Sequence, residues 1–135
     1  MGISTDATLA YGLDLGGGDN DFTFEFLDED GRPFASEYEI PGWYDEDDGL
    51  NEAIEQRLEE LGAGEDITVE VYCSTEYTSY ILAAKDFTVR RGTALEVDTT
   101  VPEDADAKLA AAVEALQIRF KEPQRPRWLL VSYWG

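Results

Sequence analysis

The sequence contains no histidine and only one cysteine among its 135 residues. Histidine is the side chain whose ordinary pKa lies closest to neutrality, so its absence removes the usual acid–base group and the usual nucleophilic triad. A lone Cys73 cannot form an internal disulfide, and zinc would lack its common ligands. We therefore expect a protein that is not an enzyme and that holds no cofactor and no metal. Cys73 alternates with Val69 and Val71, which predicts a thiol buried in the core.

Long apolar runs are also absent, because no stretch of about 18 apolar residues occurs, and we expect no membrane-spanning segment. The first six residues carry neither the basic nor the apolar region of a signal peptide, which predicts a cytoplasmic protein. An apolar fraction of 43% with 16 aromatic residues is typical of a folded core rather than of a disordered acidic tail. We expect residues 1–135 to form a single domain.

Basic residues are scarce in one part of the chain only. Residues 1–76, the acidic half, contain 22 Asp and Glu side chains against Arg32 and Arg57, whereas residues 77–135, the charge-balanced half, contain eight acids and eight bases. The net charge of −20 therefore comes from the acidic half. Such a surface repels nucleic acid and anionic membranes and attracts basic proteins. Adaptation to high salt is an alternative origin, although it would make the second half acidic as well.

Hydrophobic periodicity predicts an α+β fold with the element order β-β-β-α-β-β-α-β. Alternating apolar and polar residues place the strands at 8–15, 22–26, 34–40, 67–73, 80–91 and 128–134. Residues 93–97 are a possible extension of the fifth strand, and the last strand, apolar on both faces, is expected to be buried on both sides. The interpretation is a single, mostly antiparallel sheet of about six strands with two helices packed on one face.

The two predicted helices span residues 48–61 and 103–118. Spacings of three and four residues give each helix an apolar stripe. The stripes consist of Leu50, Ile54, Leu58 and Leu61 in the first helix and of Ala105, Leu109, Ala112, Val113 and Leu116 in the second. Thr100 and Glu103 have the spacing of a capping box for the second helix, with Pro102 in its first turn.

Two loop patterns resemble ligand-binding loops, but each lacks a feature that the ligand requires. Residues 12–18 resemble the first phosphate loop of the sugar-kinase and actin-like ATPase fold, which needs two lobes and a longer chain, so a turn between strands is favoured. Residues 28–31 and 45–49 have the spacing of calcium loops, but an aromatic residue stands at the first ligand position of each. A small-molecule or calcium binder is therefore the third function considered.

The segment with most features of a binding surface is residues 43–48. Two large aromatic side chains of the kind that anchor interfaces precede four consecutive acids, which would steer a basic partner onto them. The alternative is that the aromatic residues cover the end of the sheet while the acids cap the first helix. Together with an acidic turn and the acidic face of the first helix, the predicted partner-binding residues are Trp43, Tyr44, Asp45, Glu46, Asp47, Asp48, Asp28, Glu29, Asp30, Glu52, Glu55 and Glu59.

The charge density is sufficient for DNA mimicry. A compact chain of this length has a diameter of ~37 Å, over which duplex DNA carries ~22 charges; this chain carries 20 net negative charges. The first function considered is a non-enzymatic inhibitor that docks on a basic, nucleic-acid-binding protein, without direct contact to nucleic acid or membrane. The second is a structural or assembly protein whose acidic half packs on basic spots of a neighbour, such as Arg90–Arg91 or Arg125–Arg127, to form charge-complementary oligomers.

Four segments, Tyr11-Gly12, Tyr80–Lys85, Asp104–Leu109 and Trp128–Gly135, together resemble small uncharacterised acidic proteins of actinobacteria and their phages. The resemblance touches most of the chain. It implies a phage or prophage accessory protein in a bacterial cytoplasm, where acidic proteins of this size often block host defence or host DNA-binding proteins. It carries over no functional residues, because the group has no settled activity.

Overall fold

The structure, a computed structural model, describes residues 5–17, 22–34, 50–74 and 78–134. They form two helices and six strands, which confirms the α+β class and the strand number. The elements are β1 (Thr5–Gly17), β2 (Phe24–Phe26), α1 (Leu50–Glu60), β3 (Thr68–Ser74), β4 (Thr78–Arg90), α2 (Ala105–Leu116), β5 (Ile118–Phe120) and β6 (Arg127–Trp134). Apart from Phe34, the strand predicted at residues 34–40 lies outside the described residues.

The six strands form two sheets, so the predicted single sheet is wrong. Strand β1 pairs antiparallel with β4 on one side and β6 on the other, and β3 pairs antiparallel with β4. A short parallel ladder, in which Cys73 and Ser74 pair with Tyr133 and Trp134, then joins β3 to β6 and closes the four strands on themselves. Irregularities in the β1–β4 register bend these two long strands enough for the ends to meet. Strands β2 and β5 pair separately.

Two apolar clusters lie on the two faces of the closed sheet. The smaller cluster fills its interior with Ala10, Ile81 and Ala83, side chains that suit the narrow space between four strands. The larger cluster joins the outer face to both helices and contains, among others, Leu13, Val69, Leu82, Ile54, Leu58, Leu109 and Leu116. Because both helices share this cluster, they cover the same outer face, as the sequence predicts.

Helix α1 begins and ends within the predicted range, and residues 48–49 of that range lie outside the described residues. Ile54 and Leu58 are buried, as predicted. Leu61 is wrong as a core residue, because the helix ends at Glu60 and leaves the Leu61 side chain 51% exposed. Neither of the two described helices is long and apolar enough to cross a membrane.

Helix α2 begins later and ends earlier than predicted. Its N-cap is Asp104, so the predicted capping box of Thr100 and Glu103 is wrong, and Pro102 precedes the helix. At the other end Gln117 adopts the left-handed conformation (φ 54°, ψ 50°), which stops the helix and turns the chain into β5. The predicted helical residue Ile118 therefore begins a strand. The four buried side chains, Ala105, Leu109, Ala112 and Leu116, belong to the predicted stripe.

Three further predictions of burial or strand extent are wrong. Residues 93–97 do not extend β4, because the strand ends at Arg90 in a turn and the segment after it is exposed. Strand β6 is not buried on both faces, since Leu130 lies beyond the cover of the helices and is 75% exposed. Cys73 is exposed rather than buried, because its φ of 76° breaks the alternation that would place it beside Val69.

At Gly12 the backbone of β1 closely approaches that of β4, and we expect a side chain there to be strongly destabilising. A Cβ at this position would lie 1.9 Å from the carbonyl oxygen of Leu82. Gly12→Ala should lower the free energy of unfolding by about 3 kcal/mol through overpacking. Gly62→Ala is the matched control, because its φ of 72° adds strain while a Cβ would meet nothing within 4 Å, and it should cost about 1 kcal/mol. Urea denaturation measures both, and equal losses would contradict the close approach.

Candidate functional site

The predicted partner-binding residues fall into three groups. Trp43, Tyr44, Asp45, Glu46, Asp47 and Asp48 lie outside the described residues. Asp28, Glu29 and Asp30 lie in the turn after β2, and Glu52, Glu55 and Glu59 lie on α1. The structure therefore shows the geometry of the second and third groups.

The turn after β2 uses one of its acids to hold its own shape. The carboxylate oxygen Oδ1 of Asp28 accepts hydrogen bonds from the backbone N–H groups of Asp30 and Arg32, each at 2.9 Å. The backbone of Phe34 then donates to the carbonyl of Phe26, which confirms the start of the predicted hairpin. Asp28 is thus a turn-forming residue, while Glu29 and Asp30 are exposed.

The acids of α1 form a stripe along one side of the helix. Glu52, Glu55 and Glu59 are separated by three and four residues, which places them within the same ~60° of the helix circumference. Glu52 and Glu59 are exposed, whereas Glu55 is half-buried and its Oε1 accepts a hydrogen bond of 2.8 Å from the backbone N–H of Val69. This bond fixes the acidic stripe of α1 against β3.

A groove opens beside this stripe. Glu55 and Glu59 line one side, Glu65 of the turn before β3 lines the other, and Ile67 and Thr68 also contribute. The groove has a volume of 510 Å³, and no basic side chain occurs among the described residues that line it. We call the groove lined by Glu55, Glu59, Glu65, Ile67 and Thr68 the acidic groove. Glu65 could not be predicted from the sequence, because it lies in a short turn that only the packing of α1 on β3 brings next to the helix.

Next to the acidic groove, Glu70 and Asp86 form a pair of carboxyl groups. The pKa of Glu70 is raised to about 7, most strongly by the hydrogen bond to Asp86. Burial and the negative charges of Asp86 and Glu55 raise it further, whereas a hydrogen bond from the Thr68 hydroxyl lowers it. The same hydroxyl donates to Oδ2 of Asp86 at 2.8 Å. A carboxyl group that is half protonated at neutral pH is a common feature of functional sites. The sequence gives no signal for this pair, because the two residues come from different strands.

A mixed-charge cleft bounds the acidic groove on the α2 side. Its volume is 340 Å³, and its lining includes Asp66, Asp86, Asp104, Lys85 and Lys108. Lys108 forms ion pairs with Asp66 and, at 3.1 Å, with Asp104, and these raise the pKa of Lys108. Lys108 therefore offsets part of the negative charge of this cleft, whereas the described lining of the acidic groove contains no base.

The two halves of the sequence are not two halves of the fold. In the closed sheet, β1 and β3 from the acidic half alternate with β4 and β6 from the charge-balanced half. Ion pairs also join the halves, as in the 2.9 Å contact between Arg119 Nη2 and Glu25 Oε2. Among the described residues, acids gather without a neighbouring base in the groove between α1 and the turn after it.

Within the described ranges, no three Asp, Glu or Cys side chains are arranged to hold a metal ion. Asp14, part of the glycine-rich pattern, instead accepts hydrogen bonds through Oδ1 from the Tyr72 hydroxyl at 2.8 Å and from the backbone of Gly16 at 2.9 Å. Gly16 and Gly17 belong to β1, so the first strand, predicted to end at residue 15, extends two residues further.

Comparison of the chain with protein-family models, with curated proteins and with solved structures finds no match.

The raised pKa of Glu70 predicts a stability that falls as pH rises. Its folded-state pKa of about 7 lies above the ordinary 4.5, so the protonated form is favoured by folding. This contribution is complete below pH 4.5 and is lost as pH rises through 7. Glu70→Gln stays neutral, so the variant should melt on the order of a few degrees higher than the wild type at pH 8 and equally at pH 4.

The matched control is Glu59→Gln, which removes an exposed charge of α1 whose side chain has no part in the pair. Its melting temperature should differ from that of the wild type by a constant amount between pH 5 and pH 8. Melting temperatures that depend on pH in the same way for wild type and Glu70→Gln would contradict the raised pKa of Glu70.

Proposed function

We propose that this protein is a non-enzymatic acidic interaction protein that docks on a basic protein surface, and that the acidic groove with the stripe of α1 is its docking surface. The observation that carries the proposal is the convergence of Glu55, Glu59 and Glu65 on one groove without a basic side chain among its described lining residues. Like charges held together repel, so the arrangement favours a partner that supplies the missing cations.

The rigidity of this surface supports the proposal. Helix α1 is held by Ile54 and Leu58 in the core and by the bond from Val69 to Glu55. Carboxylates on fixed elements lose little conformational freedom on binding, so a larger part of the interaction energy remains as affinity. A row of acids on a flexible tail would lack this advantage.

The chemistry of the surface also selects the class of partner. A groove of carboxylates binds lysine and arginine side chains and repels phosphate, so the partner is a basic protein rather than a nucleic acid. Basic surfaces that such a groove could bind occur on proteins that bind nucleic acid. The specific form of the proposal is therefore an inhibitor that occupies such a surface by DNA mimicry, and the resemblance to acidic phage proteins supports this form.

A defined probe tests the docking surface. The triple variant E52Q/E55Q/E59Q neutralises the stripe, while the amide oxygen introduced at position 55 preserves an acceptor for the Val69 backbone. Binding of a fluorescent peptide rich in arginine and lysine, measured by anisotropy, should weaken roughly tenfold, or about 1.4 kcal/mol. The slope of affinity against salt should also become shallower, because fewer charges are screened.

The matched control is E96Q/E103Q/E114Q, which makes the same change in net charge at three exposed acids outside the stripe. It should retain most of the affinity of the wild type. Equal losses in the two triple variants would show that only net charge matters and would contradict a docking surface. The DNA-mimic form requires, in addition, that duplex DNA competes with the protein for a basic protein captured from bacterial cytoplasm.

A further inference from the structure

A second charged site lies away from the acidic groove, and its sign is opposite. Lys121 and Arg125, from the segment that joins β5 to β6, and Arg127, the first residue of β6, line one cleft of 580 Å³ together with Phe22. Among the described residues, none of these three cations forms an ion pair, although Lys108 and Arg119 do. Three unpaired cations facing one space are unexpected in a chain with a net charge of −20. We call this the basic cleft.

Hydrogen bonds hold the walls of the basic cleft in place. The Gln124 side chain donates from Nε2 to the Asp14 carbonyl at 3.0 Å and accepts from the Asp14 backbone N–H at 3.3 Å. On the opposite wall, the Thr23 hydroxyl donates to the same carbonyl at 2.6 Å, and Lys121 donates its backbone N–H to the Thr23 carbonyl at 2.8 Å. Both walls are therefore tied to β1 and to each other.

Two hydrogen bonds fix the orientation of the Arg127 guanidinium group. Its Nη1 donates to Oε1 of Gln124 at 3.1 Å and to the Arg125 carbonyl at 3.3 Å. A guanidinium group has five N–H donors in a planar fork, so several remain for an anion. The group is exposed and its orientation is set before a ligand arrives. Such a fixed fork favours carboxylate or phosphate oxygens over a monatomic ion.

Two carboxylates also line the cleft and must be weighed against the three cations. Asp14 already accepts hydrogen bonds from Tyr72 and Gly16, which offset part of its charge. Glu122 is exposed and remains solvated. The cations therefore exceed the carboxylates by one, and an anion gains affinity where its oxygens contact all three cations at once and lie away from Asp14 and Glu122.

We propose that the basic cleft binds a small phosphate ester, with the phosphate held by Lys121, Arg125 and Arg127 and the organic part against Phe22. The half-buried Phe22 supplies an apolar wall next to the cations. The volume lies within the ~300–1,000 Å³ that is typical of small-molecule sites. This site is independent of the docking surface on α1, so either proposal can fail without the other.

Titration with adenosine 5′-monophosphate, followed by NMR at constant ionic strength, tests the proposal. We expect saturable shifts at residues of the basic cleft, no saturable shift with adenosine, and displacement of the nucleotide by pyrophosphate. Equal binding of adenosine, or failure of pyrophosphate to compete, would show that the phosphate is not recognised and would overturn the proposal.

Variants assign the binding to these cations. Lys121→Gln and Arg125→Gln should each weaken the nucleotide roughly fivefold to tenfold, by loss of one charged contact. Neither side chain donates the hydrogen bonds that hold the walls, so the cleft should keep its shape. Arg90→Gln, an exposed arginine at the end of β4, is the matched control and should leave binding unchanged. Equal weakening by Arg90→Gln would reduce the effect to net charge and would also overturn the proposal.

Discussion

The close contact of β1 with β4 at Gly12 is the constraint on which the rest of the structure depends. Because Gly12 has no side chain, β1 can lie close to the Leu82 carbonyl of β4, at a point where the register of the two paired strands shifts. Strand β6 pairs along β1 and also meets β3, so the bend of the long strands allows the sheet to close. The inner face of the closed sheet buries Ala10, Ile81 and Ala83, whereas most of the buried apolar side chains lie on the outer face, where both helices cover them.

Closure also decides where the charges lie. In an open sheet whose strands followed sequence order, the acidic half of the chain would form one side of the molecule. The closed sheet instead interleaves strands from the two halves, and in the separate β2–β5 sheet Glu25 of the acidic half lies next to Arg119 of the charge-balanced half. Among the described residues, acids line the groove between α1 and the turn after it without a base, and bases gather in the cleft beside the connection from β5 to β6. Net charge alone therefore says little about what this surface binds.

The sequence predicts what depends on local periodicity and fails where long-range pairing decides. Ile54 and Leu58, or Ala105 and Leu109, repeat at helical spacing, and their burial follows. Strand β5 has three residues, too few for a pattern, and it exists because Gln117 turns the chain toward β2. The alternation of apolar residues in β3 predicts that Cys73 is buried, but its side chain is exposed because its φ is positive where β3 meets β6. The acids of α1 were predicted from their spacing, whereas Glu65, the Glu70–Asp86 pair and the basic cleft each need residues from separate elements.

The Glu70–Asp86 pair connects the acidic groove with proton binding. The hydrogen bond to Asp86, burial and the negative charges of Asp86 and Glu55 raise the pKa of Glu70 to about 7, and Glu55 also belongs to the groove. A cationic side chain that enters the groove near Glu55 would favour the ionised form of Glu70 and lower its pKa. Docking of a basic partner would then release a proton, and by linkage the affinity would rise with pH across the range in which Glu70 titrates. The same ionisation that weakens the free fold above pH 7 thus strengthens a complex that supplies the compensating charge.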